Sequence, residues 1–252
     1  LLPNIFNHPF TYESDLNLKV GDYVVVPFGK SKITGVVWDE FEKKNNKNFK
    51  LKSVLKKLNV TPLKKTTIKF LNWFAEYNII PKGMALKLVL LSGNAIETFQ
   101  KEAFKTFNNN IKPSKIELSE EQKRSLKKMN ISNDKFRVHV LQGTTGSGKT
   151  IVYFSALKEI INKGFQGLIL LPEIGLTSQF EKKFLEFFGI TPAIWHSGVS
   201  KKKKEVIWSG VANDEIKVVI GARSSLFLPF KKLGLIIVDE EHDQSYKQDE
   251  GV

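Results

Sequence analysis

The chain of 252 residues contains no cysteine, which excludes disulfide bonds and any cysteine-ligated metal site within it. Arginine is scarce as well, because only Arg124, Arg137 and Arg223 are present and lysine supplies the remaining positive charge. No apolar run reaches the roughly 18 residues that a membrane-spanning helix requires. The chain starts at Leu1 without a signal peptide, so we expect a piece trimmed from a longer protein.

The net charge of +13 at pH 7 is distributed unevenly along the chain. Residues 1–110 hold 17 lysines, no arginine and 9 acidic residues, a net charge of +8, and residues 111–252 carry the other +5. A basic surface attracts the phosphate backbone of nucleic acids or an anionic membrane. Charge alone leaves a second interpretation open, namely a lysine-rich proteome in which the excess has no binding role.

The N-terminal part predicts a small β-rich domain followed by two helices. Asp22–Val26 and Ile33–Trp38 predict a β-hairpin, and Lys52–Leu58 predicts a further strand. The helices are predicted at Thr66–Tyr77 and Met84–Leu91. One face of the first helix carries aromatic residues at the helical spacing i, i+3, i+4 and i+7: Phe70, Trp73, Phe74 and Tyr77. Such rings could stack on bases, but this spacing favours a core role.

The second part of the chain predicts a different architecture. Residues 92–116 are interpreted as a linker that is too short for a domain of its own. From residue 117, apolar strands alternate with helices, which favours a parallel sheet covered by helices. The predicted strands are Val138–Gln142, Leu168–Leu171, Ala193–Trp195, Lys217–Ile220 and Leu235–Val238. The predicted helices are Ile151–Lys163, Ser178–Phe188 and Lys201–Ser209.

The strongest motif is a complete G-x-x-x-x-G-K-[ST] pattern between a predicted strand and a predicted helix. Its glycines allow backbone N–H groups to surround a phosphate chain, and the positive end of the helix faces the same anion. Lys149 is expected to reach the β- and γ-phosphates, and Thr150 to ligate Mg²⁺. The predicted nucleotide-binding residues are Gly143, Thr144, Thr145, Gly146, Ser147, Gly148, Lys149 and Thr150.

A second motif is an apolar strand that ends in acidic residues, about ninety residues after the glycine-rich loop. Asp239 is predicted to hold Mg²⁺, and Glu240 to orient and deprotonate the attacking water. Lys149, Asp239 and Glu240 are therefore the predicted catalytic residues. His242 follows the acids and could sense the state of the nucleotide, although a lone histidine is usually structural. A solvated acidic cluster at a strand end is the alternative.

Weaker signals lie beside these motifs. Gln122 precedes the glycine-rich loop, and its amide could pair with the edge of adenine, although a surface glutamine on a helix is equally consistent with the spacing. Arg223 and Ser224 follow a predicted strand and could bind DNA phosphates. Leu171–Thr177 and His196–Gly198 also follow predicted strands, where parallel sheets bind ligands.

The motifs together resemble one family. Pro172–Thr177 (PEIGLT), Gly221–Ser224 (GARS) and Asp239–Gln248 (DEEHDQSYKQ) are similar to the PriA family of bacterial replication-restart helicases, also called primosomal protein N′, in superfamily 2. Val24–Lys30 near the N-terminus matches the same family. The resemblance implies a RecA-like P-loop motor lobe, an α/β fold with a parallel sheet, preceded by a small β-rich DNA-binding domain. It covers roughly residues 4–91 and 117–250.

The resemblance also implies an activity and a DNA-binding site. Members are DNA helicases that move 3′→5′ using ATP and Mg²⁺, recognise abandoned forks and start primosome assembly in the cytoplasm. Residues 1–91 would capture a 3′ DNA end through Phe10, Thr11, Gly29 and Lys52. Relatives carry aspartate where this chain has Thr11, and a neutral hydroxyl is a weaker acceptor for the 3′-hydroxyl. Single-stranded-DNA-binding protein and primosome proteins are the implied partners.

The domain organisation departs from the family in expected ways. The linker at 92–116 leaves no room for the winged-helix domain of relatives, and 117–252 would be the first motor lobe alone. The second lobe and the cysteine-rich zinc module would lie outside the chain, so Zn²⁺ is expected only in the full-length family. Because arginine fingers come from the second lobe, we expect this fragment to bind ATP weakly and hydrolyse it poorly.

Two other functions remain possible on the sequence. The chain could be a DNA-end-binding module in which the motor lobe is inert. It could also be another P-loop ATPase, such as a transporter subunit or a kinase, although the acidic motif has the helicase form. ATPase activity measured with and without single-stranded DNA separates the helicase from the inert module.

Overall fold

The structure is a computed structural model that describes residues 1–38, 50–90, 117–131, 135–144, 146–172 and 178–247. The chain divides into two compact units. The first contains the described residues of Leu1–Lys101, Lys201–Asn213 and Phe227–Lys231. The second contains those of Glu102–Ser200, Asp214–Leu226 and Lys232–Val252. The predicted linker at 92–116 lies outside the described residues.

The first unit contains a three-stranded antiparallel sheet in the order β2-β1-β3. Strand β1 is Tyr23–Phe28, β2 is Ser31–Val36 and β3 is Lys56–Lys57. The predicted hairpin is confirmed, with a turn at Gly29 and Lys30 that is shorter than expected. Gly29 has φ +59°, a conformation that glycine adopts readily. The predicted strand after residue 52 is confirmed only as the short β3.

The helices of this unit are α1, Lys65–Tyr77, and α2, Lys82–Val89. Both were predicted within two residues at each end. The core assignment of the aromatic face of α1 was wrong for Trp73 and Tyr77, which are 54% and 72% exposed. The buried face carries smaller residues that allow closer packing: Ile68, Leu71 and Ala75. Phe70 and Phe74 are half-buried against the ring of Phe227, at centroid distances of 5.7 and 4.9 Å.

A helix from the later part of the sequence also belongs to the first unit. This helix, here numbered α6, spans Lys201–Ala212 and buries Trp208 almost completely. The indole N–H of Trp208 donates to the carbonyl of Val89 at 2.7 Å, and its ring meets Tyr23 edge-on at 5.7 Å. The first unit is therefore built from segments that are far apart in the sequence. The predicted domain limits, 1–91 and 117–252, stay a prediction.

The second unit contains a four-stranded parallel sheet in the order β5-β6-β4-β7. Its strands are β4, Gln166–Leu170; β5, Ala193–Trp195; β6, Val218–Gly221; and β7, Leu233–Val238. Its helices are α3, Glu120–Met129; α4, Lys149–Asn162; and α5, Ser178–Phe188. Short 3-10 helices cover Arg223–Phe227 and Gln244–Tyr246. The prediction of an α/β fold with a parallel sheet is confirmed.

The core of the second unit lies between the sheet and phenylalanines of α4 and α5. Phe154 of α4 meets Phe184, Phe187 and Phe188 of α5 at centroid distances of 5.3 to 5.5 Å. These rings pack with Ile169 and other strand residues in one cluster. The rigid packing fixes where α4 begins and where the strands end, which are the two places that carry the motifs.

One predicted strand is absent. Val138–Gln142 is described but forms no strand, so this prediction was wrong. A strand requires a neighbouring ladder of hydrogen bonds, and none of the described strands pairs with it. Phe136, Val138 and Val140 are consequently between 78% and 93% exposed. None of the described helices combines the length and apolar character needed to cross a membrane.

Candidate nucleotide-binding site

The glycine-rich loop leads directly into α4. Gly146 and Gly148 have φ values of +83° and +82°, and Gly148 precedes the first helical residue, Lys149. Only glycine occupies this left-handed region without strain, so both positions depend on the residue type. The helix has 14 residues, and its free N–H groups and dipole favour an anion at this end. Thr145 lies outside the described residues.

Lys149 folds back over the loop that precedes it. Its ammonium donates to the carbonyl oxygen of Gly143 at 2.6 Å and lies 3.5 Å from that of Thr144. Both carbonyls belong to the loop that would surround phosphates, so the charge is already at the anion site. A phosphate oxygen would replace these carbonyls as the acceptor, with a stronger charge-assisted bond.

Gln122 also contacts the loop. It lies in the first turn of α3, where its carbonyl accepts from the backbone N–H of Ser119 at 2.9 Å in a reciprocal capping box. Its amide nitrogen donates to the carbonyl of Ser147 at 3.2 Å. The structure thus brings Gln122 to the glycine-rich loop. Each polar atom retains one further hydrogen-bonding position, so adenine recognition stays a prediction.

The acidic motif begins where β7 ends. The backbone N–H of Asp239 donates to Leu170 of the neighbouring strand at 3.0 Å, which holds the residue at the sheet edge. One carboxylate oxygen of Asp239 accepts from the N–H of Glu240 at 3.1 Å. Glu240 has φ +49°, a strained conformation for a residue other than glycine, and its side chain is 58% exposed.

The other carboxylate oxygen of Asp239 accepts a hydrogen bond from Tyr153. The phenol of Tyr153, one turn after Thr150 in α4, donates to Oδ2 at 2.8 Å. Burial, with the charge of Asp239 adding to it, raises the pKa of Tyr153, so the phenol stays protonated. Sequence reasoning missed Tyr153, although its position three residues after Thr150 places both on one helix face.

Tyr153 contacts one of the two predicted metal ligands, Asp239, and lies three residues after the other, Thr150, on the same helix. Thr150 and Asp239 supply a hydroxyl and a carboxylate, the oxygen donors that Mg²⁺ prefers. No group of three or more histidine or acidic residues that could hold a metal occurs in the described part of the chain. A nucleotide-bound Mg²⁺ needs only one or two protein ligands, because phosphates and water provide the others. The residues present fit that ion.

His242 lies beside the acidic residues. Its imidazole nitrogens are 3.5 Å from a carboxylate oxygen of Glu240 and 3.3 Å from one of Glu241, and the ring is 77% exposed. The structure brings it next to Glu240, as a role in sensing the nucleotide requires. That role remains a prediction.

A hydrogen-bonded chain connects the predicted DNA contact to Asp239. Arg223 donates to the carbonyl of Tyr246 at 3.3 Å, and the phenol of Tyr246 donates to the carbonyl of Asp239 at 2.8 Å. Burial, followed by the charge of Asp239, raises the pKa of Tyr246. Ser224 is exposed beside Arg223. Residues 173–177 of the PEIGLT motif and Gln248 lie outside the described residues.

The predicted 3′-end pocket involves three segments that lie side by side in the first unit. The ring of Phe10 is 5.3 Å from that of Phe28, which precedes Gly29. The backbone of Glu13, two residues after Thr11, pairs with Lys52 and Val54 through hydrogen bonds of 3.1 and 2.9 Å. Thr11, Gly29 and Lys52 are exposed, while Phe10 is half-buried. The segments carrying all four residues therefore meet, and their role in DNA binding stays a prediction.

Two family models match the chain. The model described as the 3′ DNA-binding domain of PriA matches residues 1–91, and the model described as the type III restriction enzyme res subunit matches residues 95–251. The residues of the glycine-rich loop and the acidic motif all fall within the second match.

Curated relatives of the chain carry the name replication restart protein PriA. The protein of Rickettsia conorii is 42% identical over 254 residues, which is 100% of this chain and 38% of that protein. The Helicobacter pylori protein is 32% identical over 95% of this chain and 36% of its own length. The Bacillus subtilis protein is 40% identical over 55% of this chain and 18% of its own length. The chain thus spans about 38% of the length of the relatives it matches throughout.

Proposed function

We propose that the chain is part of an ATP-dependent 3′→5′ DNA helicase, because it belongs to the PriA family of replication restart proteins, with a 3′ DNA-binding domain and a helicase-type domain. In this proposal the second unit binds and hydrolyses ATP, and the first unit binds the 3′ end of DNA at stalled or abandoned forks. The observations that carry it are the contact of the Lys149 ammonium with the carbonyl of Gly143 and the hydrogen bond from Tyr153 to Asp239, which links the helix after the glycine-rich loop to the acidic motif.

Each residue of the nucleotide site has a defined task. Lys149 exchanges the carbonyl of Gly143 for the β- and γ-phosphates. Thr150 and Asp239 would hold Mg²⁺, which when bound neutralises negative charge on the phosphates. Glu240 orients a water and accepts its proton as the water oxygen bonds to the γ-phosphorus and ADP leaves. The exposure of Glu240 leaves its carboxylate accessible to that water.

The DNA-binding proposal is supported by the family match of the first unit and by its charge. Residues 1–110 have a net charge of +8, carried by lysine alone. Lysines that neutralise phosphates displace condensed counterions, which makes binding strongly dependent on salt. Phe10, Thr11, Gly29 and Lys52 would form the pocket for the terminal nucleotide, with Arg223 and Ser224 contacting DNA in the second unit.

The wider biology of the chain follows from the same family. We propose primosome proteins and single-stranded-DNA-binding protein as partners, because the curated relatives are named for replication restart. A protein that acts on replication forks would work in the bacterial cytoplasm.

Nucleotide binding and hydrolysis test this function. Titration of a fluorescent ATP analogue into the chain with Mg²⁺ should show saturable binding, and Lys149→Ala should weaken it at least tenfold. Glu240→Gln should keep binding but, in the full-length protein that supplies the second lobe, lower single-stranded-DNA-stimulated hydrolysis about a hundredfold, the usual contribution of a general base. If neither variant differs from the wild type, the chain is a DNA-end-binding module without a working nucleotide site.

A further inference from the structure

We infer that Tyr153 is a positioning residue for the metal of the nucleotide site, holding the Asp239 carboxylate in the arrangement that ligates Mg²⁺. This inference rests on the proposed nucleotide-binding function. Neither motif includes Tyr153, because it lies three residues beyond the end of the glycine-rich loop and far in sequence from the acidic residues.

The carboxylate of Asp239 is held at both of its oxygens. Tyr153 donates to Oδ2 at 2.8 Å, and the backbone N–H of Glu240 donates to Oδ1 at 3.1 Å. Two donors on different oxygens prevent the group from rotating about its terminal bond. Each carboxylate oxygen still has a second lone pair, which is what a metal ion or its water requires.

A phenylalanine ring at position 153 would pack in the same way as the tyrosine ring, because the hydroxyl has no role in packing. The side chain is 7% exposed, and its ring packs edge-on against Phe154 at 5.2 Å within the phenylalanine-rich core. Tyr153→Phe would keep this ring and remove only the phenol oxygen. The variant therefore separates the polar contact from the packing.

The test measures how much Mg²⁺ is needed for binding of a fluorescent ATP analogue. In Tyr153→Phe the half-saturating Mg²⁺ concentration should rise about tenfold or more, the usual effect of losing a group that orients a metal ligand. Affinity for the analogue in excess EDTA should stay unchanged, and saturating Mg²⁺ should restore wild-type affinity. An unfolded variant could not give that restoration.

Tyr246→Phe is the matched control, since Tyr246 also donates to Asp239 but at the main-chain carbonyl. Its Mg²⁺ requirement should stay within about twofold of the wild type. An equal shift in both variants would mean that anchoring of the strand end, and not orientation of the carboxylate, sets metal affinity, and would overturn the inference. An unchanged Mg²⁺ requirement in Tyr153→Phe would also overturn it. A wild-type chain that binds no nucleotide would instead overturn the proposed function together with the inference.

Discussion

Replacing Gly148 by alanine should destabilise the glycine-rich loop more than the same change at Gly146. Both glycines have nearly the same left-handed φ, +82° and +83°, so an alanine at either position loses about 1–2 kcal/mol to backbone strain. The surroundings differ. A Cβ at Gly146 would enter open space, whereas a Cβ at Gly148 would collide with the amide nitrogen of Gln122.

The collision between a Cβ at position 148 and the Gln122 amide determines how much the two substitutions should differ in their effect on the free energy of unfolding. The end of the Gln122 side chain can move, but doing so breaks its hydrogen bond to the carbonyl of Ser147. Loss of such a bond destabilises a protein by about 1 kcal/mol. Gly148→Ala should therefore lower the free energy of unfolding by about 2–3 kcal/mol, against about 1–2 kcal/mol for Gly146→Ala.

Urea unfolding followed by circular dichroism measures the free energy of unfolding of each variant. Adding Gln122→Ala supplies the decisive comparison, because without the amide the effect of Gly148→Ala should fall to that of Gly146→Ala. Equal effects of the two single substitutions would refute the argument. So would a difference that persists when Gln122 is alanine.

Three further outcomes are expected. Trp208→Phe should lower the free energy of unfolding by about 1–2 kcal/mol in urea denaturation, because the carbonyl of Val89 loses its buried donor. Binding of a fluorescent oligonucleotide with a free 3′-hydroxyl, followed by anisotropy, should weaken steeply with salt. In a plot of the logarithm of the binding constant against the logarithm of the salt concentration, Lys52→Ala should reduce the slope by about 0.7, as expected for the loss of one phosphate contact. Hydrogen bonds from Ser245 lower the pKa of Asp243, so its cap on the 3-10 helix is complete above about pH 4 and is lost as the pH falls through that lowered pKa. The amide resonance of Ser245 should report this acid transition, and Asp243→Asn should abolish it.

Local sequence patterns predicted most elements of the fold. The bounds of one helix and one strand were predicted to the residue, namely Ser178–Phe188 and Ala193–Trp195. Helical periodicity and β-branched content are properties of a short stretch of sequence, so they can be recognised locally. Val138–Gln142 has an equally good strand pattern but forms none. Strand formation depends on a partner that the segment itself does not specify.

The side chains were predicted less completely than the elements. Periodicity identified an aromatic face on α1, but it could not show that the face with Ile68 and Ala75 would be buried instead of the one with Trp73 and Tyr77. The motifs predicted Thr150 and Asp239 as metal ligands because residue types and spacing are restricted there, and that role stays a prediction. Tyr153 was not predicted because a tyrosine in an apolar helix matches no motif. Its role depends on Asp239, which lies 86 residues away in the sequence.

The packing of α6 has a consequence for synthesis of the protein on the ribosome. Trp208 reaches Val89 across 119 residues of chain, so the interior of the first unit cannot close when its own first 90 residues have emerged. At about 5–20 residues per second, translation of the next 140 or so residues takes roughly 7–28 s. During that interval the newly made hairpin and its two helices expose Tyr23 and the apolar surface that Trp208 later covers. Nascent chains should therefore be bound by chaperones at this stage and released once residue 231 has left the exit tunnel.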